Sequence, residues 1–125
     1  MKKVQVWEPS EMAPAGQWHR RLTDSDAEII AVLEPDQDEL LPALILQLGD
    51  GGLIAACSPV TDALKVVVDG LVVDSIDRDG VVELRPPFAF KVHSALSVIE
   101  ALDTGERIDL LGALAASFQP LVFQR

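Results

Sequence analysis

Tyrosine is absent from these 125 residues, cysteine occurs once, and aromatic residues make up only 5% of the chain. A single cysteine excludes an intrachain disulfide. Cys57, inside the apolar run LIAAC, reads as an inert buried thiol in a reducing compartment. With so few aromatic rings, the core has to be built from Val, Leu, Ile and Ala. No apolar run approaches the roughly 18 residues of a membrane span. Glu8 and Pro9 cut off any signal-peptide hydrophobic region after the N-terminal lysines. The expectation is a cytoplasmic chain with no membrane contact, folding as one domain over residues 1–125 and burying about two-thirds of its unfolded surface.

Positive charge is also scarce. The formal net charge is −10, and no Lys or Arg stands between Arg21 and Lys65. That span holds Asp24, Asp26, Glu28, Glu34, Asp36, Asp38, Glu39, Asp50 and Asp62. Such a field repels phosphate and argues against nucleic-acid binding through a basic groove. It suits either solubility or a basic partner docking on Asp36, Asp38 and Glu39.

Catalytic sets are missing as well. His19 and His93 are far apart, with no metal-ligand spacing around either, and there is no G-x-S-x-G elbow. The carboxylate pairs Glu8/Glu11 and Asp77/Asp79 read as solvated turn residues. DSIDRDG (74–80) resembles half a calcium loop. With Gly80 at position 6, however, position 12 falls on Pro86, which offers no side-chain oxygen. Asp79-Gly80 between two β-rich runs predicts a hairpin turn instead. Glycine-rich GDGG (49–52) leads into an apolar run without the lysine or Ser/Thr of a phosphate loop. No catalytic residue, metal or cofactor is expected.

What is present is apolar periodicity. KVQVW (3–7) alternates as a strand, and residues 8–16 read as a loop set by Pro9, Pro14 and Gly16. Residues 23–34 read either as a helix capped by Thr23 or as a strand through Ile29–Leu33, ended by Pro35. Leu44–Leu48 and Leu53–Cys57 around the glycines read as one hairpin, and 65–68 with 71–76 as another. Pro86-Pro87 breaks or bends the strand that follows. Helices follow at 94–102, capped by Ser94, and at 106–118, ended by Pro120. Strands followed by helices predict an α+β fold: a mainly antiparallel β-meander with two C-terminal helices packed on one face.

Both tryptophans lie in the first eighteen residues, on an N-terminal arm (7–21), and the C-terminal tail (118–125) is apolar. Trp7, Met12, Trp18, Arg20, Arg21, Phe118, Leu121 and Phe123 are residue types favoured at interface cores. Alternatively, the indoles cover an open edge of the protein's own sheet, and the tail docks there too. The first functional reading is a non-enzymatic protein-interaction or assembly subunit, a homo-oligomer or part of a larger assembly such as a phage or bacterial particle. The second is an acidic inhibitor or immunity-type protein binding a basic partner. The third is a small enzyme using His19 or His93, with a site at a subunit interface.

Overall fold

The computed structural model describes residues 3–59, 64–68, 71–76 and 82–125; of 59, 64–68, 71–76 and 82 the backbone alone is described. Strand β1 (Val4–Trp7) is followed by the two-residue β2 (Ala13–Pro14) and by helix α1 (Ala15–Asp24). Then come β3 (Ile29–Val32), a 3-10 turn (Pro35–Leu40), α2 (Leu41–Leu48) and β4 (Leu53–Pro59). β5 (Leu64–Val68) and β6 (Leu71–Ile76) precede the long β7 (Val82–Lys91). The chain ends with α3 (Val92–Glu100), β8 (Arg107–Ile108), α4 (Leu110–Ser117) and β9 (Leu121–Val122).

Five strands form the main sheet in the order β1-β3-β7-β4-β9. β1 pairs parallel with β3, and β9 parallel with β4, while β7 is antiparallel to both of its neighbours. β7 therefore runs alone against four strands that point the same way. The antiparallel meander is corrected: this is an α/β fold with a mixed sheet. Between β1 and β3 stands α1, and a parallel pair needs such a crossover. β5 and β6 do pair antiparallel, as a separate two-stranded sheet.

Alternation along β3 sets the layers. Ile30 and Val32 enter one core with Trp18, Leu22, Phe90 and Leu114. Ile29, Ala31 and Leu33 enter another with Leu44, Leu48 and Phe123. Helices α1, α3 and α4 cover the first face, α2 and the C-terminal tail the second. The expectation of helices on one face fails for that reason, and a strand buried on both sides reads as the unbroken IIAV.

Two segments form helices that were expected otherwise. In α1, Ala15, Trp18 and Leu22 bury one stripe at helical spacing. Its first amides donate to the loop before β8, Ala15 N to Glu106 O (2.7 Å) and Gly16 N to Thr104 O (2.9 Å). In LPALILQL, Pro42 sits in the first turn, where its missing N–H costs nothing, so the segment is α2 rather than half a hairpin. Gly49 ends α2 at φ 51°. We expect Gly49→Ala to lower stability by at least about 1 kcal/mol, because a side chain is strained at positive φ. Thermal melts followed by circular dichroism check this, and an unchanged midpoint would contradict it.

Smaller differences are local. The stretch 23–34 begins with the last two residues of α1 and contains the strand β3, so no helix starts at Thr23. Lys91 rather than Ser94 precedes α3, and α4 starts at Leu110, where the Asp109 side chain accepts from Gly112 N. Pro86-Pro87, joined by a cis peptide, leaves β7 continuous but shifts its register: Ala55 faces Phe88 and Ala56 faces Arg85. The tail docks on its own sheet as β9, with Phe123 N donating to Ala55 O (2.9 Å).

Candidate functional site

A cavity of about 230 Å³ opens where β1 and β3 end. In sheets of this kind, ligands bind outside the carboxyl ends of the parallel strands. Trp7 is the last residue of β1 and Val32 the last of β3. Phe88 of β7 pairs with Val32, so β7 passes directly behind the opening. Trp7, Trp18, Val32, Phe88, Leu110 and Leu111 give the cavity its apolar surface. Glu8, Pro9 and Ser10 follow β1 along one side, while Glu83, Leu84, Arg85 and Pro86 line it from β7. Asp109 closes it from the start of α4.

The aromatic surface is held together by stacking. The rings of Trp7 and Trp18 lie 6.5 Å apart at 25°, and Trp7 meets the Phe90 ring edge-on at 6.5 Å. Phe88 stacks on Phe90 at 6.2 Å. Trp18 donates its Nε1–H to Ile108 O (3.3 Å), which satisfies the one polar group of a buried indole. Gln37, also buried, accepts from Glu34 N (2.9 Å) and donates to Pro86 O (3.2 Å). The 3-10 turn is thereby tied to β7 beside the cavity.

Electrostatically the lining is acidic: Glu8, Glu83 and Asp109 against Arg85. The Asp109 carboxylate already accepts from Gly112 N (3.0 Å), so the start of α4 meets a fixed negative charge rather than an anion from solution. On the far side of Trp7, Lys3 pairs with Asp26. The hydrogen bond and charge of Lys3 hold the Asp26 carboxyl below the usual aspartate value. Among the described residues, no three His, Cys, Asp or Glu side chains gather to hold a metal ion. The calcium question about 74–80 falls mostly on residues outside those described.

The structure brings Trp7, Trp18 and Arg21 together inside one subunit, with Trp18 only 3% exposed. Phe123 is buried in the second core and Phe118 packs against the first. Met12 and Leu121 are exposed, as is Arg20, which borders a groove between α1 and α3. Asp36, Asp38 and Glu39 are exposed on the 3-10 turn. His19 Nε2 lies 3.4 Å from Glu100 Oε1 in the α1–α3 groove, His93 is exposed on α3, and neither lines the cavity. Glu83, Arg85 and Asp109 were not anticipated.

No protein-family model and no curated protein sequence matches the chain. Solved structures do. A 4-diphosphocytidyl-2C-methyl-D-erythritol synthase matches 87% of this chain with a TM-score of 0.60 and 24% identity. The 2-C-methyl-D-erythritol 4-phosphate cytidylyltransferase of Thermus thermophilus matches 98% with a TM-score of 0.63 and 12% identity, over 71% of its own chain. That of Francisella tularensis matches 84% with a TM-score of 0.61 and 14% identity, over 55% of its own chain. The chain spans 54% of the first of these proteins, about half its length. All three are enzymes, which overturns the reading as a non-enzymatic assembly subunit; the acidic inhibitor and the interface-site enzyme fit them no better. No helix among the described residues is long and apolar enough to cross a membrane. At these identities the likeness establishes the fold: over most of its length, this chain is folded like part of a methylerythritol-phosphate cytidylyltransferase.

Proposed function

We propose that the chain serves cytidylyl transfer, and that the cavity at the ends of β1 and β3 receives the acceptor, a phosphorylated polyol. The observation that carries this reading is the composition of the lining. Carboxylates accept hydrogen bonds from hydroxyl groups, and Glu8, Glu83 and Asp109 supply them in a cavity that also has an indole surface suited to the C–H face of a polyol. Arg85 matches one phosphate monoester through charge-assisted hydrogen bonds. A nucleoside triphosphate is a poorer fit than a single phosphate, because its larger negative charge meets the same three carboxylates and one guanidinium.

Transfer of a cytidylyl group to a phosphate monoester joins an acceptor phosphate oxygen to the α-phosphorus, and pyrophosphate departs. Catalysis of such steps rests on positioning and on neutralising charge. This cavity contributes the positioning of the acceptor. The triphosphate has to be neutralised by groups outside it. The reading places the protein in the cytoplasm, where nucleotides and sugar phosphates are available.

Isothermal titration with 2-C-methyl-D-erythritol 4-phosphate tests the reading, with cytidine triphosphate and magnesium as the second ligand. The polyol phosphate should bind, and Arg85→Gln should weaken it about tenfold or more. Absence of binding, or undiminished binding by the variant, would overturn the assignment.

A further inference from the structure

We infer that Arg21 is a positioning residue for this cavity, acting through Trp7 as a planar latch on the wall. The inference rests on the acceptor reading above for its consequence, though not for its geometry. Trp7 is a shared partition. One side lines the cavity, and the other lines an open groove that holds Arg21, Asp24 and Asp26. Arg21 lines that groove and not the cavity, so it acts on a bound ligand through the indoles it covers, chiefly Trp7 at the shorter distance.

The guanidinium carbon lies 4.2 Å from the Trp7 ring centre and 4.8 Å from that of Trp18, so one cation spans both rings. Three features fix it there. Arg21 follows Trp18 by three residues, which puts both on one face of α1. It stands in the last turn of that helix, where positive charge is favoured. Its flat guanidinium stacks on aromatic faces, which a lysine ammonium does not do. Trp7 needs such support because it is half-buried at the end of an edge strand, before the exposed residues 8–12. Without the latch, the Trp7 indole keeps its contacts with Trp18 and Phe90 and loses the cation that lies over its ring.

The chain has two tryptophans and no tyrosine, so its fluorescence comes from this wall alone. Trp18 is 3% exposed, and a soluble quencher therefore reports mainly on Trp7. In Arg21→Ala, acrylamide quenching should rise about threefold, and affinity for 2-C-methyl-D-erythritol 4-phosphate should fall about fivefold. Arg21→Lys should recover less than half of either change. Should the alanine variant not fold, Arg21→Gln keeps the stem and takes its place. Unchanged quenching, or full recovery by lysine, would overturn the latch. If the wild-type protein binds no polyol phosphate, the acceptor reading fails and quenching alone decides the latch.

Discussion

Phe90→Ala should lower the melting temperature by roughly 10–20 °C, the larger of two effects expected from the core beside the cavity. Phe90 is fully buried on β7, paired with Ile30 of β3 on one side and Leu53 of β4 on the other. Its ring packs against Phe88 at 6.2 Å and receives Trp7 at 6.5 Å. Truncation removes the apolar area and leaves a void that a strand fixed on both edges cannot close, at a cost of about 3–5 kcal/mol. For a domain whose total stability is about 5–15 kcal/mol, that is a large share. Leu46→Ala is the internal control. Leu46 is 82% exposed on α2, and its loss should change stability by no more than about 0.5 kcal/mol. Comparable shifts for the two variants in calorimetry would mean that Phe90 is not the centre of the packing described.

Much of this arrangement was hidden from the sequence for reasons that can be traced to particular residues. Alternation in VQVW and the pairing of 65–68 with 71–76 were readable, because strand periodicity is local. IIAV was ambiguous, since a strand buried on both faces has no alternation to display. LPALILQL defeated periodicity in another way: a short, wholly apolar run fits a buried strand as well as a helix. Pro42 in its first turn was the available discriminator. In α1, the spacing of Ala15, Trp18 and Leu22 was present but masked by Pro9, Pro14 and Gly16, which marked residues 8–16, including the start of the helix, as loop. Strand direction followed from these misreadings, because an unrecognised crossover helix turns a parallel pair into an apparent meander. The cavity was less legible still. Its lining comes from residues 7–10, 18, 32, 83–86, 88 and 109–111, which become neighbours only through the sheet order. Glu8 was visible as a carboxylate, but nothing local distinguished it from a solvated one.

Trp18→Ala should destabilise the protein almost as much as the Phe90 change, and by a route that separates an interior role from a partner role. Its apolar and aromatic character placed Trp18 among candidate interface residues, yet its indole is 3% exposed and packs in the core beneath α1. Removing it costs about 3–5 kcal/mol from lost burial and the cavity left behind. It also strips Ile108 O of the Nε1–H donor at 3.3 Å, which adds a smaller penalty. Trp18→Phe keeps most of the buried area and loses only the donor, so it should recover more than half of the alanine effect. The decisive variable is protein concentration. Stability held inside one chain does not depend on it, whereas an interface residue stabilises by mass action. Melting the wild type and both variants across a hundredfold range of concentration should give parallel, concentration-independent midpoints. A midpoint that climbs with concentration in the wild type and stays flat in Trp18→Ala would instead mean that a second copy completes the packing around α1, and the assignment of Trp18 to the interior of a single chain would fall.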